Sequence, residues 1–221
     1  MFVKVCGTTS EEDALLAVAM GADGIGFIFA PSPRQVSAAA VRQIVHRLPP
    51  EVVTVGVFRD EAPEQVVKVV NAIGLKAAQL HGRETPEQVR FVAERVPVVI
   101  NAFPAGSSAI RRAADYGAQI VMLDAPSPGS GQVFDWSLVD GVPPGSRLLL
   151  AGGLTPANVA EAIAQARPWG VDVCTGVESE PGRKDAVKLQ RFVAAARAAA
   201  PDSPTSFDGG SDGPFDWEAV D

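Results

Sequence analysis

Two residues at the ends of apolar stretches could exchange protons with a substrate. Cys6 ends the stretch Phe2–Cys6, and Asp124 ends the stretch Gln119–Asp124. A carboxylate that closes an apolar stretch needs a partner or a role, because burying it unpaired costs free energy. A thiol beside a cation or a helix N-terminus can serve as a thiolate base. The pair predicts acid–base chemistry, but a structural hydrogen bond would also explain Asp124, and core packing would also explain Cys6.

Two glycine-containing loops could hold a phosphate group. Gly152 and Gly153 follow one apolar stretch near the end of the chain, and Thr175 and Gly176 follow the next. Peptide NH groups at helix N-termini bind anions, and the last two loops of parallel barrels commonly bind phosphate. Neither loop contains Lys or Arg, which favours recognition by the backbone. Glycines that serve only tight turns are the alternative interpretation.

Three further polar residues belong to the predicted site. Arg34 lies in a Pro-rich loop without an adjacent acidic residue, which suits two hydrogen bonds to a substrate carboxylate, although a solvated arginine is the simpler alternative. His81 and Asp172 lie near the ends of other apolar stretches, whereas Cys174 is predicted to be a core residue inside a strand. His46 has no neighbour at a ligand spacing, so we predict no metal site and no cofactor.

Eight short apolar stretches must position these residues. They are rich in Val, Ile and Leu, which is typical of parallel strands buried on both faces, and helical patterns lie between them. We therefore predict a single-domain (β/α)8 TIM barrel over residues 1–200, with its site at the C-terminal ends of the strands. A doubly wound open sheet is the alternative, but its glycine-rich phosphate loop is absent from the sequence. The stretches are Phe2–Cys6, Gly24–Phe29, Val52–Phe58, Lys76–Leu80, Val98–Ala102, Gln119–Asp124, Arg147–Ala151 and Val171–Thr175.

Capping signals predict where several helices begin and end. Thr9 with Glu12 and Thr85 with Gln88 have the spacing of a capping box, and Pro156 fits the first position of a helix. Glycines precede the second, fourth, sixth and eighth strands, where a left-handed residue would close the preceding helix. These glycines are Gly21, Gly74, Gly117 and Gly170.

Composition excludes several classes of protein. The chain of 221 residues has a net charge of −7 and no basic block, so a nucleic-acid surface is not expected. No apolar stretch is long enough to span a membrane, and the N-terminus lacks the pattern of a secretory signal. Two cysteines do not make a disulfide framework, so we expect a cytoplasmic protein.

The last 21 residues, 201–221, read as a disordered acidic tail rich in Asp, Ser, Gly and Pro. Within this tail, residues 215–221 repeat residues 134–140 at five of seven positions. A chance repeat is the simpler interpretation, and docking of the tail near the segment it resembles is the alternative.

Several motifs, in order along the chain, resemble those of the phosphoribosylanthranilate isomerase family of tryptophan biosynthesis. The resemblance covers residues 2 to about 197, and a set of ordered motifs is more specific than any one of them. The motifs are Lys4–Thr9, Gly26–Phe29 with Ser32–Arg34, Gln79–Gly82, Leu123–Asp124, Gly129–Trp136, Leu150–Leu154 and Val171–Glu178 through Pro181–Asp185.

The resemblance implies an Amadori rearrangement of N-(5-phosphoribosyl)anthranilate to 1-(2-carboxyphenylamino)-1-deoxyribulose 5-phosphate. It implies that Asp124 is the general acid and Cys6 the general base, which requires a lowered thiol pKa. Arg34 would hold the anthranilate carboxylate, and His81 and Asp172 would line the site. The phosphate would lie at the two glycine turns, Gly152–Gly153 and Thr175–Gly176.

Two other functions stay open on the same barrel. One is a sugar-phosphate lyase or aldolase with a Schiff-base lysine, for which Lys4 and Lys76 are poor candidates. The other is a phosphate-ligand-binding barrel without catalysis. In each case the partner is a phosphorylated small molecule, and the chain is expected to be a monomer or a homodimer.

Overall fold

Eight parallel strands form a closed barrel in the order of the sequence, β1 to β8. The computed structural model describes residues 1–126 and 133–201, so the segment 127–132, most of the predicted tail and its repeat lie outside the described residues. The predicted (β/α)8 barrel is confirmed. Its strands are β1 Phe2–Val5, β2 Gly24–Ile28, β3 Val53–Phe58, β4 Ala77–Leu80, β5 Val98–Pro104, β6 Ile120–Asp124, β7 Arg147–Leu150 and β8 Gly170–Val173.

Helices cover the outside of most of the barrel. They are α1 Glu11–Ala19, α2 Ala38–Val45, α3 Pro63–Ile73, α4 Pro86–Ala93, α5 Val159–Ala166 and α6 Ala186–Ala198. After β5 and β6 the chain instead forms 3-10 segments, Ser108–Tyr116 and Trp136–Gly141. The first of these is interrupted at Arg112, whose φ of −110° and ψ of 17° are not helical. No helix in the described ranges is long and apolar enough to cross a membrane.

A small hairpin that was not predicted from the sequence follows β8. After a 3-10 turn at Thr175–Val177, strand β9 (Glu178–Glu180) pairs antiparallel with β10 (Arg183–Lys184). Gly182, at the turn of the hairpin, has a φ of +86°, a conformation that glycine adopts without steric cost. The hairpin lies against the N-terminal part of the chain, because the Thr9 hydroxyl donates to the Gly182 carbonyl at 2.6 Å.

Two predicted helix starts are wrong, and one is confirmed. Thr85 and Gln88 form the complete capping box of α4. At α1 the cap is instead Ser10, whose side chain accepts from the NH of Asp13, so the Thr9–Glu12 box does not form. Pro156 precedes α5 by a full turn, in which the Asn158 side chain accepts from the NH of Thr155 at 2.7 Å.

Three of the four predicted left-handed glycines are confirmed. Gly21, Gly74 and Gly117 have φ values of 93°, 80° and 73°. Before β8, however, Arg167 is the left-handed residue, with a φ of 44°, and Gly170 is the first residue of the strand. Gly170 has another role: a Cβ there would lie 2.9 Å from the Cβ of Phe2. The glycine therefore lets β8 approach the backbone and Cβ of Phe2 in β1 closely.

Alternation along β1 and β8 sets the layers of the barrel interior. Phe2 stacks on Trp169, with ring centroids 4.6 Å apart, and fills the bottom of the barrel. Lys4 is in register with Asp172 in the next layer. Since successive side chains of a strand point to opposite faces, Cys6 follows Lys4 in the layer above. The order of the sequence thus puts apolar residues at the bottom and ionisable residues at the C-terminal mouth.

Candidate active site

Cys6 lies directly after β1, next to a fully buried ion pair. The Lys4 ammonium donates to Asp172 Oδ1 at 2.8 Å, and the Lys4 side chain has no exposed surface. Cys6 Sγ and Lys4 Nζ lie 2.9 Å and 3.1 Å from the point where a Cβ on Gly26 would sit. Any larger residue at position 26 would therefore displace both groups. Gly26 gives the thiol and the ammonium a common space inside the barrel.

The resting thiol does not have the lowered pKa that a base requires. Burial raises the pKa of Cys6, and the neighbouring Asp172 carboxylate raises it further, while Lys4 and Lys184 act in the opposite direction. The predicted lowering is therefore wrong for the unliganded protein, because desolvation outweighs the attraction of the two cations.

Arg34 forms a buried ion pair, so the expectation that it lacks an acidic partner is wrong. Its Nε donates to Glu178 Oε1 at 2.8 Å, and its Nη2 donates to Glu178 Oε2 at 2.7 Å. The partner comes from β9, 144 residues further along the chain. The two parallel hydrogen bonds fix the plane of the guanidinium group. Nη1 takes no part in these hydrogen bonds to Glu178.

Cys174 lies just after β8, and the prediction that it is inside a strand is wrong. Its φ of −126° and ψ of −85° leave the strand conformation, and a 3-10 turn follows. Its Sγ lies 3.9 Å from Glu178 Oε1. Burial, together with the nearby Cys6, raises the pKa of Cys174 to about 12, so this second thiol stays protonated.

Asp124 ends β6 at the same end of the barrel and forms a chain of contacts with β4. Its Oδ2 lies 3.1 Å from Nε2 of His81, and its Oδ1 accepts from the NH of Ala125 at 2.7 Å. The Gln79 amide nitrogen is 2.8 Å from Nδ1 of His81. With the amide in this orientation, Nδ1 accepts and the proton of the ring lies on Nε2, facing Asp124. Gln79 thereby orients His81, and His81 orients the carboxylate.

The two glycine loops meet next to Asp124. Gly152 and Gly153 have positive φ values of 86° and 64°, and a Cβ on Gly152 would lie 3.0 Å from Asp124 Oδ1. A Cβ on Gly176 would lie 2.0 Å from the carbonyl oxygen of Leu154, so the second loop packs directly on the first. Thr175 lies beside Gly176, and both are partly exposed. The two glycine loops are therefore in direct backbone contact next to Asp124.

Glu178 and Lys184 are site residues for which the sequence analysis assigned no role. Lys184 is buried, and its Nζ donates to the Cys6 carbonyl at 2.6 Å and to Glu178 Oε1 at 3.1 Å. Pro181 and Gly182 between them are a turn signal that could have indicated a hairpin. The contacts themselves cannot be read from sequence, because they join the hairpin to β1 and to the loop after β2. Eight of the nine predicted site residues lie at or after the C-terminal ends of their strands. The ninth, Asp172, lies one layer below Cys6.

Comparison with known proteins gives consistent matches over this whole barrel. The family model described as N-(5'phosphoribosyl)anthranilate (PRA) isomerase matches residues 3–195. A relative from Desulforudis audaxviator (strain MP104C), named N-(5'-phosphoribosyl)anthranilate isomerase, is 47% identical over an alignment of 204 residues, and the match covers 89% of this chain and 98% of the relative.

Solved structures agree with the sequence match. Phosphoribosyl anthranilate isomerase from Thermus thermophilus is 44% identical with a TM-score of 0.84, covering 90% of this chain and 99% of that one. A phosphoribosyl anthranilate isomerase in complex with reduced 1-(o-carboxyphenylamino)-1-deoxyribulose 5-phosphate is 41% identical with a TM-score of 0.79 and the same coverage. Monomers generated from the dimeric isomerase of Thermotoga maritima are 40% identical, again with a TM-score of 0.79 and that coverage. The chain therefore belongs to the N-(5'-phosphoribosyl)anthranilate isomerase family.

Proposed function

We propose that this chain converts N-(5-phosphoribosyl)anthranilate into 1-(2-carboxyphenylamino)-1-deoxyribulose 5-phosphate, with Asp124 as general acid and Cys6 as general base. Family membership supports the isomerase activity in tryptophan biosynthesis. The observation that carries the residue assignment is that the two groups lie at the C-terminal ends of β1 and β6 of one closed barrel. A small molecule bound in this mouth can contact both.

As general acid, Asp124 must enter the reaction in its protonated form, and it begins the reaction by giving this proton to the furanose ring oxygen. The bond between this oxygen and C1 breaks, and the nitrogen lone pair forms a C=N bond to C1. His81, at 3.1 Å, holds the carboxyl group in one orientation during this transfer. Positioned proton transfer of this kind typically accelerates a reaction by about 10²–10⁴-fold.

Cys6 completes the rearrangement by removing the proton from C2. The electrons of the C–H bond form a C1–C2 double bond, and the C=N electrons return to nitrogen, which gives an enolamine. The C2 hydroxyl then loses its proton, its O–H electrons form the C=O bond, and the electrons of the C1–C2 double bond take up a proton at C1, which yields the ketone. Cys6 acts as the thiolate, and burial, which raises the pKa of this thiol in the unliganded protein, opposes its formation. The positive C=N group next to C2 makes that proton acidic and reduces the base strength that Cys6 needs.

The remaining predicted residues bind the two anionic ends of the substrate. Arg34, held by Glu178, binds the anthranilate carboxylate through its remaining nitrogen. The loops with Gly152, Gly153, Thr175 and Gly176 bind the 5-phosphate through main-chain NH groups. Asp172 lies one layer below Cys6 in the barrel, where its ion pair with Lys4 supports the floor of the proposed site.

The charges in the barrel do not favour the lyase or aldolase alternative. A Schiff-base lysine needs a neutral amine, but the carboxylate of Asp172 and the neighbouring Cys6 raise the pKa of Lys4 despite its burial. Lys76 precedes β4 at the opposite end of the barrel and donates to the carbonyl of Pro50. Borohydride treatment in the presence of a sugar-phosphate aldehyde is expected to leave no lysine adduct.

The proposed assignment is tested by following the loss of fluorescence of freshly generated phosphoribosylanthranilate. Cys6→Ser and Asp124→Asn are each expected to lower kcat at least about 100-fold, the effect of losing one acid or base. Matched controls are Cys174→Ser, which removes the other thiol, and Asp140→Asn, which removes an exposed carboxylate. Near-wild-type turnover in Cys6→Ser or Asp124→Asn would remove that residue from the mechanism.

We also propose that residues 1–200 form one catalytic domain that works in the cytoplasm as a monomer or a homodimer. The dimeric relative from Thermotoga maritima supports a homodimer. Sedimentation velocity of the purified chain over a range of concentrations distinguishes the two states.

A further inference from the structure

Lys184 is the buried charged group next to Cys6 that the proposed reaction leaves without a role. It lies in β10, and its side chain has no exposed surface. Its ammonium donates to the Cys6 carbonyl at 2.6 Å, and its main-chain NH donates to Asp13 Oδ2 in α1 at 3.1 Å. The residue is therefore tied to the chain on both sides of the loop that begins with Cys6.

Lys184 belongs to a cluster of buried charges around Cys6. Lys4 pairs with Asp172, whereas Arg34 and Lys184 share Glu178. The buried Asp13 carboxylate accepts from the main-chain NH of Lys184 and not from its ammonium group. Because charges interact strongly where water is excluded, an ammonium that shares its carboxylate with a second cation favours a new negative charge close to it.

We propose that Lys184 is a positioning residue for the isomerase reaction: it fixes the backbone at Cys6 and stabilises the thiolate that forms there. The inference rests on the proposed function, in which Cys6 is the base. Both roles come from the position of one ammonium group. The Lys184 ammonium donates to the Cys6 carbonyl, and it shares the Glu178 carboxylate with Arg34. A cation close to a thiol favours the charged form, and Lys184 accordingly lowers the pKa of Cys6.

Other groups that face Cys6 set the background for this effect. Lys4 favours the thiolate, Asp172 opposes it, and burial opposes it most strongly. Arg34 and Glu178 neutralise each other in their bidentate pair. The half-buried Cys174 stays protonated and contributes no charge. Without Lys184, Lys4 is the remaining cation that lowers the pKa of Cys6, while burial and Asp172 still raise it. The pKa of the thiol is therefore expected to rise.

The test compares Lys184→Met, Lys184→Arg and Lys188→Met in a Cys174→Ser background, where Cys6 is the remaining thiol. Lys188 is the matched control, because it also donates to a main-chain carbonyl, that of Glu178, at 2.7 Å. Two profiles are measured: thiolate formation, from its ultraviolet absorbance, and kcat/KM, each against pH. The Cys6→Ser/Cys174→Ser protein supplies the absorbance reference.

In Lys184→Met both the absorbance midpoint and the acid limb of kcat/KM are expected to move to higher pH. Below the midpoint, the thiolate content is expected to fall about tenfold, as for the loss of one close opposite charge. Lys184→Arg keeps the positive charge, so both profiles are expected to stay close to those of the Cys174→Ser parent. Lys188→Met is expected to leave both profiles in place. A purely structural role would lower activity without moving either profile.

Either profile left in place in Lys184→Met would overturn the inference. Near-wild-type activity of Cys6→Ser would instead overturn the proposed function, whatever Lys184 does. If Lys184→Met does not fold, Lys184→Met/Glu178→Gln, which removes one charge of each sign, is compared with Glu178→Gln through the same two profiles. A higher midpoint in the double variant supports the inference, and equal midpoints contradict it.

Discussion

Nε2 of His81 lies 3.1 Å from Oδ2 of Asp124, and Nδ1 of the same ring lies 2.8 Å from the amide nitrogen of Gln79. The ring is thus held between a strand neighbour and the proposed acid. We therefore expect His81 to act through Asp124 in the proposed reaction.

His81→Ala is expected to lower kcat by about tenfold or more, yet less than Asp124→Asn, because the acid remains but loses its orientation. His46→Ala, which changes an exposed histidine at the end of α2, is the control and should leave kcat unchanged. Steady-state kinetics of the three variants decides this, and equal kcat in His81→Ala and wild type would contradict the orienting role.

Glu178→Gln is expected to destabilise the fold by about 3–5 kcal/mol, since it leaves the buried Arg34 and Lys184 without their shared carboxylate. Glu180→Gln, two residues away on the same strand, removes only an exposed pair with Arg183 at 3.7 Å and should cost at most about 1 kcal/mol. Denaturant unfolding followed by circular dichroism gives both values. Similar losses in the two variants would show that burial of the Glu178 cluster has no energetic weight.

Stability is expected to decrease at alkaline pH partly through Cys174. In the folded chain its pKa is about 12, well above the value of an exposed thiol near 8.5. The unfolded chain therefore releases this proton first, and stability is lost as the pH rises from about 8.5 toward the folded value. The free energy of unfolding of wild type should fall more steeply over this range than that of Cys174→Ser. Parallel curves would show that the thiol titrates alike in both states.

Gly176→Ala is expected to raise KM at least about tenfold with a smaller change in kcat, since a methyl group 2.0 Å from the Leu154 carbonyl must push the two glycine loops apart. Gly145→Ala is the control: its φ of +82° strains an alanine, but its Cβ would meet no atom within 4 Å. Kinetics and inhibition by inorganic phosphate are measured for both. Unchanged KM and phosphate inhibition in Gly176→Ala would place the phosphate elsewhere.

Deletion of residues 203–221 is expected to leave kcat, KM and the melting temperature unchanged, because the described barrel is closed by β8 and covered by α6 without them. Thermal unfolding and steady-state assays of the shortened chain are compared with the full chain. A loss of activity would support docking of the 215–221 repeat on the barrel.

Local sequence determined the strands and the end of the barrel at which the candidate site lies. Continuous apolar stretches require burial on both faces, and a stretch such as Ile120–Asp124 cannot place its final carboxylate anywhere but at a strand end. The capping box at Thr85 was equally readable, because all of its atoms come from four consecutive residues. The start of α1 could not be predicted in this way, because Thr9 and Ser10 are both possible capping residues. In the structure the Thr9 hydroxyl donates to the Gly182 carbonyl, and Ser10 caps the helix.

Only the tertiary structure decided how the charges pair. Arg34 has no acidic neighbour in the sequence, yet Glu178 reaches it from 144 residues away, because closure of the barrel brings β8 and its hairpin beside β1 and β2. The state of Cys6 depends on the same closure. Residue type and position predicted a thiol at the mouth of the barrel, whereas its raised pKa follows from burial and from charges on two distant segments, which no local pattern encodes.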